Sequence, residues 1–249
     1  MRRLVLTLAA LAMTAGLGAC DRLSGGDSDK VFGQKVRAYL LAHPEVLREA
    51  INKLQAKEEE EQARADAADM TKARALLPQV RARLEHDPRD FVANPGGHVT
   101  VTEFYDYRCP HCVSIAPKVV ALIRTHPDVR FVFKEMPIFG PTSEHAARAA
   151  LAAKTQGKDY VGLFEAMMQA RPLNDEPIDR LAKAHGVDTQ AMLRPDAVAA
   201  ANAQISDVAA LASQLAIRGT PGFIIGDVII PGEDMDGVEA AIVKAGGKI

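Results

Sequence analysis

The sequence predicts an α/β fold with a helical insertion, preceded by an α-helical N-terminal region. Three observations predict it: helical periodicity over residues 31–85, a Pro- and Gly-rich segment at 87–97, and strand-like runs alternating with helical ones after it. With 48% hydrophobic and 25% charged residues in 249, the composition is that of a globular chain. The net charge of −2 argues against nucleic acid as a partner.

The N-terminus is typical of an export signal. A basic start (MRR) precedes an apolar run from Leu4 to Leu17, which is shorter than the roughly 20 residues that span a bilayer. The LGAC segment ending at Cys20 resembles the bacterial lipobox, which implies removal of residues 1–19 and lipid attachment to Cys20. Asp21 then implies retention at the inner membrane. We therefore expect a periplasmic, lipid-anchored protein, the alternative being an ordinary signal peptide with a stray cysteine.

Residues 20–30 are rich in Gly, Ser and Asp and predict a flexible tether. Residues 31–90 predict a helical region, and His43-Pro44 and Pro78 favour several helices over one rod. The region has one apolar stripe and little else to bury it against, so it must dock on the rest of the chain or on copies of itself. This stripe consists of Phe32, Val36, Tyr39, Leu40, Val46, Leu47, Ala50, Ile51 and Leu54.

Residues 91–249 predict the α/β domain, with strands at 99–107, 129–134, 223–225 and 228–230. We expect a helix from Cys109 to Arg124 after the first strand. An Ala-rich helical insertion covers about 142–196, and further helices follow at 197–217 and 235–245. This order of strands and helices is typical of an α/β architecture.

A Cys-Pro-His-Cys segment, Cys109 to Cys112, lies where the first strand ends and a helix begins. Unpaired N–H groups and the helix dipole favour a thiolate there, and Pro110 suits the first turn. We expect Cys109 to be the exposed, reactive sulfur and Cys112 the buried, resolving one, with His111 adding a positive charge or a donated hydrogen bond.

A bare Cys-x-x-Cys pair also fits a structural disulfide or half a zinc site. So small a loop makes a poor structural staple, and zinc requires a second ligand pair that the sequence does not offer. We therefore predict a redox pair with no metal, and no cofactor beyond the Cys109–Cys112 disulfide.

EFYDYRCPHC, followed far downstream by GTPGFIIG, resembles the bacterial DsbA-type members of the thioredoxin superfamily. This resemblance covers roughly residue 99 to the C-terminus and implies a thioredoxin fold with a helical insertion. The segment KVRAYLLAHPEVLREAINKLQ resembles, more loosely, the N-terminal region of the family of suppressor of copper sensitivity protein C.

The DsbA-type resemblance also implies roles for individual residues. Thr220-Pro221 matches the cis-proline motif, whose backbone pairs with a substrate peptide as an added strand. Glu103 matches the buried acid beneath the active site, where it can exchange a proton with Cys112 or pair with Lys134. His111 matches the second dipeptide position of the strongly oxidising members.

Two functions fit this site: a monomeric oxidase that donates its disulfide, and an oligomeric isomerase that reshuffles disulfides. The N-terminal resemblance favours the isomerase, as a homo-oligomer and specifically a trimer, with a link to copper tolerance. Its partners would be exported proteins that contain cysteines and a membrane redox protein. A third interpretation, from another class, is a copper-binding lipoprotein that uses Cys109 and Cys112 as ligands.

Overall fold

A computed structural model describes residues 26–248 of the chain, which contacts divide into two compact units after Arg64. The predicted signal peptide and the lipid site at Cys20 lie outside the described residues. Of the predicted tether, the part from residue 26 onward is helical and not flexible coil, because it belongs to helix α1, Gly26–Ala42.

Helix α2, Pro44–Glu85, follows α1 after a break at His43, as the His-Pro pair predicted. The expected break at Pro78 is wrong, since α2 continues through it. Leu77, Val80 and Leu84 are buried on either side of this proline, and their packing outweighs the hydrogen bond that the proline removes. No helix among residues 26–248 combines the length and the apolar character needed to cross a bilayer.

Five strands form one sheet in the order β1-β3-β2-β4-β5. Strand β2 is parallel to β3 and antiparallel to β4, and both outer pairings are antiparallel. The strands are β1 (Phe91–Ala93), β2 (Val99–Tyr105), β3 (Val129–Glu135), β4 (Gly222–Ile225) and β5 (Val228–Pro231). Strand β1 was not predicted, because three residues among turn formers give no periodic pattern.

The helices follow the predicted order. They are α3 (Pro110–Thr125), α4 (Pro141–Thr155), α5 (Tyr160–Gln169), α6 (Asp175–Ala184), α7 (Thr189–Met192), α8 (Pro195–Gln214) and α9 (Met235–Lys244). Helices α4 to α7 form the predicted insertion between β3 and α8, which confirms the mixed α/β prediction.

The sheet is covered on both faces. Helices α3 and α5 pack on the face that carries Val101 and Tyr105, whereas α8 and the last turns of α2 pack on the face that carries Phe104. The compact unit therefore begins at Ala65 and not at the predicted boundary near residue 90, because the end of α2 contributes fully buried side chains such as Leu77 to this core.

Candidate functional site

Cys109 and Pro110 form the start of α3, immediately after the turn that ends β2. Cys109 is the residue that precedes the first helical turn, with φ −68° and ψ 120°, and Pro110 occupies that turn. The Cys109 N–H donates to Asp106 O at 3.2 Å, and the Cys109 carbonyl accepts from Val113 N at 3.0 Å. The sulfur thus lies at a helix N-terminus, where backbone N–H groups stabilise a negative charge.

The Thr220-Pro221 peptide bond is cis, as the resemblance implied. Cys109 Sγ donates a hydrogen bond to Thr220 O at 3.1 Å, so the cis-proline loop contacts the sulfur directly. Pro221 O in turn accepts from Gly232 N at 2.8 Å, which holds the loop against the β5 end of the sheet.

The expectation of an exposed Cys109 is wrong: the residue is only 2% exposed. The cause is the cis-proline loop, whose Thr220 carbonyl lies on the sulfur. Arg108, Pro110 and His111 beside it are all exposed, so Cys109 lies directly beneath the surface and not deep in the core.

Cys112, one turn into α3, is 1% exposed, and its burial raises the pKa of its thiol. Both cysteines carry free thiols in this structure. A first sulfur directly beneath the surface and a buried second one that holds its proton form an attacking and resolving pair.

His111 is exposed and points away from the core. Its Nδ1 atom lies 3.4 Å from Glu233 Oε1. Glu233 follows β5, so this contact joins the start of α3 to the segment that also holds the cis-proline loop. Sequence inspection gave no sign of Glu233.

Glu103 lies on β2, two residues from Val101 and on the same face, and is 1% exposed. Burial, reinforced by the nearby charge of Glu135, raises the pKa of its carboxyl to about 8. Its Oε2 atom has no hydrogen-bond partner. The charge of Glu103 helps to raise the pKa of Cys112, so the two groups interact.

The expected pairing of Glu103 with Lys134 is wrong. Lys134 stands opposite Phe104 in the β2–β3 register, which puts it on the other face of the sheet from Glu103. There its ammonium group binds Asp90 and donates to Arg83 O at 2.6 Å. Lys134 therefore lies on the face that packs against α8 and the end of α2, and it is not part of the cysteine site.

Sequence reasoning missed Asp106, which fixes the turn before Cys109. Its carboxylate accepts from Arg108 N at 2.7 Å and from Ser143 Oγ at 2.8 Å. It also accepts from Ile138 N at 2.7 Å and Phe139 N at 3.0 Å, in the loop after β3. An aspartate just past a strand end was a usable signal, since such residues cap turns.

The same contacts join two exposed apolar residues, in the loop after β3, to the turn that precedes Cys109. Ile138 and Phe139 are 46% and 45% exposed, and Arg108 Nη1 donates to Phe139 O at 3.0 Å.

Glu135, at the end of β3, was also missed. Its side chain is buried among three tyrosines, Tyr105, Tyr107 and Tyr160. Burial raises the pKa of this carboxyl to about 8, although the three hydroxyl groups act in the opposite direction.

Within residues 26–248 no cluster of three or more His, Cys, Asp or Glu side chains is arranged to hold a metal ion. Cys109 and Cys112 therefore form a pair without a third protein ligand in the described part of the chain.

Comparison with protein families gives two matches. Residues 100–243 match the DSBA-like thioredoxin domain, and residues 30–61 match the copper resistance protein ScsC N-terminal domain. The first match covers more than half of the chain, and the second coincides with α1 and the first part of α2.

Among solved structures, a thioredoxin-like oxidoreductase from Silicibacter pomeroyi is 38% identical, with a TM-score of 0.60, covering 66% of this chain and 96% of that one. Proteus mirabilis ScsC in a transitional conformation is 27% identical, with a TM-score of 0.63, covering 88% and 97%. The second structure therefore extends over the N-terminal helices as well.

A curated relative, Na(+)/H(+) antiporter NhaA 3 of Salinispora tropica, is 32% identical over 171 residues, which cover 64% of this chain and 26% of the antiporter. The chain thus spans about a quarter or less of the length of the curated relatives it matches.

Proposed function

This chain belongs to the DSBA-like thioredoxin domain family, and we propose that it is a periplasmic thiol–disulfide oxidoreductase that forms or reshuffles disulfides in exported proteins. One observation carries the proposal: the Cys109 sulfur lies at a helix N-terminus and bonds the Thr220 carbonyl beside cis-Pro221. The helix end stabilises a thiolate, and the cis-proline loop offers backbone to a substrate peptide.

In the oxidising direction, a substrate thiolate attacks Cys109 Sγ and the Cys109–Cys112 bond breaks. Cys112 takes the electron pair and a proton, and a mixed disulfide joins Cys109 to the substrate. A second substrate thiolate then attacks the substrate sulfur, and Cys109 leaves as a thiolate. The substrate has lost two electrons and the protein has gained them.

In the reshuffling direction, the Cys109 thiolate attacks a wrong disulfide of the substrate and is later displaced by another substrate thiol, with no net change in oxidation state. Ile138 and Phe139 support protein substrates, since they are exposed apolar residues on a loop that Asp106 and Arg108 join to the turn before Cys109. Glu103 is the proton donor and acceptor for Cys112, because it is the buried carboxyl group whose charge acts on that thiol.

The N-terminal helices support an oligomer, and we propose a homotrimeric isomerase. Apolar side chains are more than a third exposed along α1 and the first turns of α2. These are Val31, Phe32, Val36, Tyr39, Leu41, Leu47, Ile51 and Leu54. Burying such a stripe against copies of the chain would gather several cysteine sites.

The match to the ScsC N-terminal domain supports a link to copper tolerance, because that family is described as a copper resistance protein. In the same proposal Cys20 carries the lipid that holds the protein at the inner membrane, and a membrane redox protein resets the Cys109–Cys112 pair.

Trapping tests the enzymatic role. Cys112→Ser leaves Cys109 able to attack but unable to resolve, so a mixed disulfide with a scrambled protein substrate should accumulate on a non-reducing gel. Cys109→Ser is the matched control and should form no such adduct. If neither variant forms one while both cysteines are needed for Cu(I) binding, the copper-binding alternative replaces the enzyme.

Removing residues 31–64 tests the oligomer. This deletion keeps Leu77 and Leu84 in the core, whereas removal of 31–90 would expose that core. The shortened protein should be a monomer by light scattering, should still oxidise a dithiol peptide and should no longer refold scrambled ribonuclease. Equal refolding by the monomer would contradict the oligomer proposal, because reshuffling would then not require several cysteine sites in one assembly.

A further inference from the structure

Glu135 is a second buried carboxyl group on the side of the sheet that carries Glu103. Three hydroxyl groups donate to its Oε1 atom: Tyr105 OH at 2.5 Å, Tyr160 OH at 2.7 Å and Tyr107 OH at 3.4 Å. The Tyr105 hydroxyl also lies 2.9 Å from Tyr107 OH and 2.8 Å from Tyr160 OH. The four side chains form one closed cluster, which we call the tyrosine–carboxyl cluster.

The register places this cluster close to Glu103. Tyr105 stands opposite Glu135 across β2 and β3, and Glu103 is two residues before Tyr105, so all three side chains lie on one face. Within residues 26–248, the strongest influences on both carboxyl groups are burial, hydroxyl groups and other acids, and no cation is among them.

Two carboxyl groups in such surroundings resist carrying charge together, because each charge opposes the other across a medium of low polarity. Hydrogen bonds to a carboxylate favour the charged form, and Glu135 receives three. The Oε2 atom of Glu103 receives none. As the pH rises, the negative charge therefore settles on Glu135 and the proton stays on Glu103.

We propose that Glu135, held by the hydroxyl groups of Tyr105, Tyr107 and Tyr160, is a positioning residue that keeps Glu103 protonated as the proton donor to Cys112. The inference rests on the proposed function and extends it. Glu135 touches no reacting atom and acts through the charge it places near Glu103.

The step it serves is the opening of the Cys109–Cys112 disulfide. A substrate thiolate bonds to Cys109 Sγ, the disulfide breaks, and Cys112 leaves with the electron pair. Glu103 gives its proton to Cys112, and Glu103 becomes the carboxylate. This step needs the protonated form of Glu103 at the moment of attack, and so it slows once that proton is lost.

The titratable groups that face the two carboxyls come from several elements. Strand β2 and the turn after it supply Tyr105, Asp106 and Tyr107, and the charge of Asp106 also acts on Glu135. Helix α3 supplies Cys112, and helix α5 supplies Tyr160. Each of them is neutral or negative in the accessible pH range, so none relieves the repulsion.

The test compares Glu135→Gln with the wild-type full-length protein. Stopped flow measures the rate at which a dithiol peptide reduces the Cys109–Cys112 disulfide of each oxidised protein, from pH 5.5 to 9.5. Dividing the variant rate by the wild-type rate cancels the ionisation of the peptide. We expect the ratio of variant rate to wild-type rate to be near one at low pH and to fall about tenfold through the neutral range. The reason is that Glu103 loses its proton about one pH unit lower in the variant than in the wild type.

Titration of the side-chain carboxyl carbon of ¹³C-labelled Glu103 by NMR gives a readout that does not depend on activity. Its midpoint should fall by about one pH unit in Glu135→Gln. Tyr160→Phe removes one donor, lets Glu135 keep its proton longer and should move the midpoint the same way by less. If Glu135→Gln does not fold, Tyr160→Phe provides the same test of the inference.

Two controls separate charge from structure. Glu239→Gln removes one negative charge from an exposed position on α9 and should change neither the ratio nor the midpoint. In a Glu103→Gln background, Glu135→Gln should give a ratio that is flat with pH.

A flat ratio together with an unmoved Glu103 midpoint in Glu135→Gln overturns the inference. If no dithiol reduces the Cys109–Cys112 disulfide of the wild-type protein, the proposed function is contradicted instead. The NMR titration then still decides whether Glu135 controls the protonation of Glu103.

Discussion

The two faces of the sheet both bury ionisable side chains, but they surround them with different neighbours. On the face that packs against α8, Lys134 binds Asp90, and Asp90 accepts a further hydrogen bond from Gln204 Nε2 at 3.2 Å. On the face that packs against α3, Glu103 has an unpartnered oxygen and a second carboxyl group as its neighbour. One face pairs opposite charges, whereas the other places two acidic side chains side by side with no cation from the described residues to pair them.

This difference separates a structural use of buried charge from a chemical one. A paired and hydrogen-bonded ion holds two elements in one arrangement, here β3 against the segment before β1. An unpaired carboxyl with a raised pKa costs stability above its ordinary pKa, but it can give and accept a proton near neutral pH. Only the second face carries the cysteines.

The largest expected effect is on the face that pairs opposite charges. Lys134→Met leaves Asp90 buried without its partner and should lower the free energy of unfolding by about 3–5 kcal/mol, measured by urea denaturation. In the folded fraction, the rate at which a dithiol peptide reduces the Cys109–Cys112 disulfide should depend on pH as it does in the wild type. The double variant Lys134→Met with Asp90→Asn should recover most of the loss, and a single-variant loss below about 1 kcal/mol would contradict the assignment.

Glu103→Gln tests the unpaired face through the pH dependence of stability. The folded-state pKa of Glu103 is raised to about 8 from 4.5, so between these values the folded protein holds a proton that the unfolded chain has lost. Stability therefore falls as the pH rises through this window, by up to about 1.4 kcal/mol per pH unit.

The glutamine of this variant has no such proton, so the slope of unfolding free energy against pH between 4.5 and 8 should flatten. Opening of the oxidised cysteine pair should slow at the same time. The exposed control Glu239→Gln should leave the slope as it is, and an unchanged slope in Glu103→Gln would show that this carboxyl is not held protonated.

The smallest effect concerns Thr102, which lies on the Lys134 face and whose hydroxyl has no partner. Thr102→Val removes a buried, unsatisfied polar atom at nearly constant volume, and should raise the midpoint of urea unfolding by an amount equivalent to about 1 kcal/mol. The oxidation rate should not change at any pH. A loss of stability would mean that the hydroxyl makes a hydrogen bond.

Patterns that are local in the sequence predicted much of this molecule. The strand-to-helix transition placed Cys109 before α3, and the glycines around Thr220-Pro221 marked the loop that reaches it. Alternation along β2 put Glu103 on the buried side with Val101. Where a prediction failed, the cause was register or long-range packing: Lys134 lies on the opposite face, and the end of α2 belongs to the second core.

The order of elements, the reactive pair and its place at a helix start were determined by the sequence alone, because periodicity and helix-end chemistry act over a few residues. Which buried charges meet was decided by the tertiary structure alone. That the Glu135 carboxyl lies among three tyrosines, that Asp106 holds the loop of Ile138, and that Thr220 covers Cys109 all depend on pairings between residues far apart in the chain. Burial, which sets the proton affinity of those groups, exists only once the sheet and its helices have packed.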